Sequence, residues 1–85
     1  MKLTSKVDDS QAFYVKDGPV LKSVKELLSA LESNEISDES YNYHTENQDF
    51  ARWIGDVYQD EALSKSFKRI KNKKTAIKKL KDSVK

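Results

Sequence analysis

Apolar residues return along most of this chain with the period of an α-helix, and each run opens on a residue able to cap it. Val24, Leu27, Leu28 and Leu31 stand at i, i+3, i+4 and i+7. Ser23 and Glu26 precede and enter that run at the spacing of a capping box, in which each side chain satisfies a backbone N–H left free at a helix start. Asn34 then offers a left-handed stop. Ser37 can cap a second, short helix closing near His44, with Asp38 and Glu39 favourable against its positive end and Ile36 and Tyr41 at the spacing of a hydrophobic staple. Phe50, Trp53, Ile54 and Val57 repeat the first stripe in a third helix, started by Asn47 or Asp49. Gly55 weakens it by about 1 kcal/mol relative to Ala, a cost that close packing can justify. Asp60 caps a fourth segment carrying Leu63, Phe67 and Ile70. Asn72 interrupts that segment, and Ile77, Leu80 and Val84 stripe a last helix.

Ahead of the helices the pattern shortens. Ala12-Phe13-Tyr14-Val15 and Val20-Leu21 flank Lys16-Asp17-Gly18-Pro19, a hairpin signal because glycine readily takes a positive φ. Pro19 must then sit where the ladder needs no donor. Residues 1–10 show no sustained period and are expected to form a flexible lead-in. The expected fold is therefore helix-dominated α+β. A short two-stranded β-hairpin is followed by four or five short helices around one core centred on Trp53, with residues 11–85 forming a single small domain and a basic C-terminal helix over about 65–85.

Composition narrows what such a domain can do. A chain of 85 residues buries only about 60% of its unfolded surface, so a deep cofactor pocket is not expected. Hydrophobic residues make up 36% and charged residues 35%, polar for a globular chain, yet the apolar positions cluster at helical spacing rather than thinning out as in disorder. The absence of cysteine removes disulfides and thiolate metal sites and fits a cytoplasmic setting. The first seven residues lack an apolar stretch of signal-peptide length, and no segment approaches the roughly 20 apolar residues of a membrane span, so membrane insertion is not expected.

Charge changes the picture most. The formal net charge is +2, but residues 1–64 hold thirteen acids against six bases, and residues 65–85 hold ten bases against Asp82 alone. An acidic body thus precedes a basic tail, and the two can attract different partners.

The stretch from Phe13 to about Leu80 resembles a small archaeal and bacterial domain family of unknown function. The resemblance is carried by Phe13-x-Val15-x-Asp17-Gly18, the helix from Ser23 to Leu28, Ser37-Asp38-Glu39 before Tyr43-His44, and above all Asp49-Phe50-x-x-Trp53-Ile54-x-Asp56-Val57. It implies a compact fold and no established activity, substrate or cofactor. The lysine density of residues 71–81 departs from that family's usual, more mixed last segment.

Candidate chemistry is sparse. His44, Glu46 and Asp49 are metal-capable and close in sequence, but a helix-closing His44 and a helix-capping Asp49 explain them more simply. Glu39, Asp49, Asp56 and Asp60 could supply carboxylates for acid–base work, yet each has a structural place at a helix start or on a solvent face. Gly18 and Gly55 are isolated, so no phosphate-cradling loop exists. Phe13, Tyr14, Tyr41, Tyr43, Phe50, Trp53, Tyr58 and Phe67 are interleaved mostly with acids, which favours core packing over base stacking. An enzyme is not expected, and neither is a cofactor or a bound metal.

Two binding roles remain. The first is a non-enzymatic protein-binding module acting through the acidic body. The alternative is sequence-independent nucleic-acid binding through the tail, with Lys68, Arg69, Lys71, Lys73, Lys74, Lys78, Lys79 and Lys81 as phosphate-neutralising residues. Lysines on a solvated face attracted to the acidic body would explain the same pattern without a ligand. A lysine-rich helix lying on anionic lipid ranks below both binding roles, because its apolar face is narrow and carries no aromatic anchor after Phe67.

Overall fold

The computed structural model describes residues 2–84. A single 3-10 turn at Asp9–Gln11 leads into the antiparallel strands β1 (Phe13–Tyr14) and β2 (Val20–Leu21). Five helices follow: α1 (Val24–Glu32), α2 (Asp38–Glu46), α3 (Asp49–Tyr58), α4 (Glu61–Arg69) and α5 (Lys73–Ser83). This is the helix-dominated α+β fold that the periodicity predicts.

The caps explain the boundaries. Ser23 Oγ accepts from Glu26 N–H at 3.0 Å, and Glu26 Oε1 accepts from Lys22 N–H at 2.9 Å, one residue before the cap itself. At the other end of α1, Asn34 takes φ 56°, Asn34 N–H donates to Leu31 O and Glu35 N–H to Ala30 O, the paired bonds of a Schellman stop. Ser37, Asp60 and Asn72 accept from the backbone of Ser40, Leu63 and Thr75, opening α2, α4 and α5. Asn72 therefore both ends one helical run and begins the next. The start of α3 differs from expectation: Gln48 bridges α2 and α3 in the left-handed region without a side-chain cap, and Asp49 lies in the first turn with its carboxylate turned elsewhere. The second helix also runs two residues past His44, to Glu46.

In the hairpin, Phe13 faces Leu21 and Tyr14 faces Val20. The positive φ of its turn belongs to Asp17 (56°), not to Gly18. Glycine is needed at position 18 for room, because a Cβ there would stand 2.8 Å from Val15 Cγ1. Pro19 contributes only its carbonyl, which accepts from Val15 N–H at 3.2 Å.

One core runs through the molecule. Val24, Leu27 and Leu31 of α1, Ile36, Tyr41, Phe50, Ile54, Tyr58 and Leu63 are buried, and Phe13 stacks on Phe50 with ring centroids 4.8 Å apart. Trp53 closes edge-on against Phe13 and Tyr58, and its indole N–H donates to Gln11 O at 2.8 Å. The third and fourth helices approach closely at Gly55, where a Cβ would meet Ser64 Oγ at 3.0 Å, and Ser64 Oγ itself donates to Ala51 O at 2.7 Å. α5 packs back on α1. Its most buried positions are Ala76 and Leu80, with Ile77 and Val84 half-buried, so the seam lies slightly off the Ile77–Leu80–Val84 stripe. Two of the eight aromatics assigned to core packing, Tyr14 and Tyr43, are exposed instead.

The lead-in makes contacts with the rest of the fold. Residues 3–7 lie along the entrance of α1, with Leu3, Ser5 and Val7 turned partly inward and Lys2, Thr4 and Lys6 outward. Leu3 O accepts from Val24 N–H (3.1 Å) and Lys25 N–H (3.2 Å), two of the donors that a helix start leaves unpaired. Val7 N–H donates to Lys22 O at 2.8 Å, and Tyr58 Oη–H donates to Ser5 O at 2.8 Å. Short-range periodicity could not reveal this, because the segment's partners lie tens of residues away.

Candidate polyanion-binding surface

The residues with the most chemical promise in the acidic body are tied into the fold. His44 is buried against Phe13, Tyr43 and Phe50. Lys16 N–H donates to its Nε2 at 3.0 Å, so that nitrogen carries the lone pair, and the protonated Nδ1 donates to Asp49 Oδ2 at 2.9 Å. Asp49 also pairs with Arg52. Both ring nitrogens are thereby committed, and neither is left to take a substrate proton or bind a cation. The imidazole does not bond the terminal carbonyls of α2, as a helix-closing role would require; it joins the hairpin turn to α3. Ser40 Oγ adds a second link, donating to Lys16 O at 2.6 Å. Among the described residues, no group of three or more His, Cys, Asp or Glu side chains is arranged to hold a metal ion.

Carboxylates of the body are widely engaged as well. Asp9 bonds Lys22 at 2.9 Å, and that hydrogen bond and charge hold the Lys22 ammonium above its ordinary pKa. Glu26 meets Lys6, and Asp60 caps α4. A shallow cleft of about 310 Å³ between the hairpin turn and α2 is lined by Asp17, Glu39 and Glu46. Lys16 already occupies the ring face of Tyr43 there, 4.5 Å from its centroid.

The basic tail divides into two sets. Lys73, at the first position of α5, turns into the body, where its Nζ donates to Ile36 O at 2.6 Å and pairs with Asp38 at 3.0 Å. Its side chain is only 17% exposed. Lys81 pairs with Glu32 at the end of α1, 3.1 Å away, while remaining 58% exposed. These two join the tail to the acidic body. Lys68 and Arg69 in the last turn of α4, Lys71 in the connection, and Lys74 and Lys78 on α5 are exposed, with Lys79 half-buried. Among the described residues none of these six makes an ion pair, and neither does Lys65.

The unpaired bases are not scattered. α4 and α5 meet at an open cleft of about 350 Å³, lined by Ser66, Arg69, Ile70, Thr75, Lys78, Lys79 and Asp82. A neighbouring hollow is lined by Lys65, Ser66 and Arg69, so Arg69 stands between the two. Of the eight tail residues singled out from sequence, Arg69, Lys78 and Lys79 line the cleft, Lys68, Lys71 and Lys74 are exposed without lining it, and Lys73 and Lys81 are paired with acids of the body. Thr75, Ser66 and Asp82 carried no sequence signal of their own. Their place in the cleft comes from the angle between two helices.

No helix of the described residues is long and apolar enough to cross a membrane. No family model matches the chain, and no curated protein or solved structure is significantly similar to it.

Proposed function

We propose that the chain is a non-enzymatic binding module that holds the phosphate backbone of DNA or RNA, without reading its sequence, on the basic surface of α4 and α5. The observation that carries this reading is the division of the tail. Lys73 and Lys81 anchor α5 to the acidic body, yet among the described residues seven further bases on α4, α5 and the connection between them make no ion pair. Anchoring the helix uses only two of these bases and leaves the others available to a polyanion.

The mechanism is counterion release. Each phosphate neutralised by a lysine or arginine frees condensed cations, so affinity falls steeply with salt. Most of these bases are lysines, which supply mobile point charges rather than planar forks, and among the described residues no aromatic lines either hollow, which favours backbone contact over base readout or stacking. Titrating a labelled mixed-sequence duplex and a single strand at low and high salt tests the proposal. Binding at low salt that fades at high salt is expected for both; no binding at low salt contradicts it.

A second reading keeps the module but gives it a protein partner. It is favoured by Tyr14 and Val20, exposed opposite one another on the hairpin, and by exposed Tyr43. Under it, Tyr14→Ser with Val20→Ser abolishes capture of a defined protein partner while leaving the duplex titration unchanged.

A further inference from the structure

We infer that the cleft between α4 and α5 is the point where one phosphate group of the polyanion is seated, rather than merely attracted; this rests on the nucleic-acid reading above. Three basic residues line it from two helices: Arg69 from α4, Lys78 and Lys79 from α5. Arg69 is the only arginine in the tail, and a guanidinium can meet two phosphate oxygens at once. Thr75 contributes a hydroxyl that makes no hydrogen bond among the described residues, although its backbone N–H is used by the Asn72 cap. Ser66 Oγ–H is committed to Ala62 O, leaving its oxygen as an acceptor. The wall between them is the half-buried Ile70.

Asp82 lines the same cleft and is the one feature opposed to an anion. It makes no ion pair with Lys78 or Lys79. A carboxylate in that position weakens the seat for any phosphate and keeps binding reversible. Lys68, Lys71 and Lys74 are exposed and do not line the cleft, and they contribute long-range attraction that water and salt screen.

The test compares charge-matched variants of the full chain in the duplex titration. Arg69→Gln with Lys79→Gln removes two charges from the cleft, and Lys71→Gln with Lys74→Gln removes two from outside it. The cleft pair is expected to lose roughly tenfold in affinity and the outer pair roughly threefold. Arg69→Lys, which keeps the charge and removes the fork, is expected to lose roughly threefold, and Asp82→Asn to gain roughly threefold. Inorganic phosphate, followed by amide NMR, should move Thr75 and Lys79 before Lys74. Equal losses from the two pairs with silent Arg69→Lys and Asp82→Asn overturn the seat while leaving the nucleic-acid reading standing. Poly-glutamate binding as tightly, with the same dependence on Arg69, also overturns it. Failure of the unsubstituted chain to bind any duplex at low salt overturns both.

Discussion

Lys73 reaches from the first turn of α5 to Asp38 in the first turn of α2, and its ammonium also donates to the Ile36 carbonyl beside it. This contact makes Lys73 part of the fold. Its neighbour Lys74, one residue on, is exposed and unpaired.

The two lysines should therefore separate stability from binding. Lys73→Gln is expected to lower unfolding free energy by about 1–2 kcal/mol, since a charge-assisted bond to a carbonyl is lost while Asp38 remains well solvated. Lys74→Gln should leave the urea midpoint within about 0.5 kcal/mol of the parent and weaken duplex binding. Urea melts and anisotropy titrations of both variants check the pair.

His44 should exist, when neutral, as the Nδ1–H tautomer, because the Lys16 amide occupies Nε2 and Asp49 accepts from Nδ1. Nitrogen-15 NMR of the imidazole reads this directly, and an Nε2–H tautomer would contradict it. His44→Leu strands a backbone donor and a carboxylate, and is expected to cost about 2–4 kcal/mol.

Residues 3–7 should matter for stability. Removing residues 1–8 leaves Val24 and Lys25 N–H without Leu3 O and Tyr58 Oη without Ser5 O. A loss of about 2–4 kcal/mol is expected, part of it from uncovering the edge of the core beside Leu3 and Val7. A truncated chain as stable as the parent in urea would show the segment to be dispensable.

Alkaline pH should unfold the domain through two tyrosines. Burial raises the pKa of Tyr41 above 10.0. Burial likewise raises that of Tyr58. In both cases the folded state holds the proton more tightly than the unfolded chain. Their contribution is complete below the unfolded value near 10 and is lost as pH rises through the folded values. Stability followed by circular dichroism should thus be insensitive to these groups near neutrality and fall in alkali. Tyr58→Phe should flatten part of that fall.

Much of this architecture was legible because its determinants are local. Ser23, Asn34, Ser37 and Asp60 bond within a few residues of themselves, and stripes such as Val24–Leu27–Leu28–Leu31 report burial through period alone. What escaped were long-range relationships. Nothing near Leu3 indicates that its carbonyl closes α1, and nothing near His44 indicates that Lys16 N–H will meet it. The hairpin turn was recognised for the wrong residue, since Asp17 takes the left-handed conformation and Gly18 supplies space beside Val15. The basic surface was half legible: ten bases are countable in the tail, but only packing reveals that Lys73 and Lys81 turn to the body and that Arg69, Lys78 and Lys79 share a cleft.

The most direct measurement is the salt dependence of duplex affinity for the parent and for a variant carrying Lys68→Gln, Lys71→Gln, Lys74→Gln and Lys78→Gln, with Lys73 and Lys81 left intact. Between about 50 and 200 mM salt, the parent should give a log–log slope of roughly −4 to −6, about −0.9 per phosphate engaged. The variant should keep the parent's urea midpoint and lose roughly three to four units of that slope. A parent that fails to bind at the lowest salt, or a variant whose slope matches the parent's, would contradict a polyanion surface on α4 and α5.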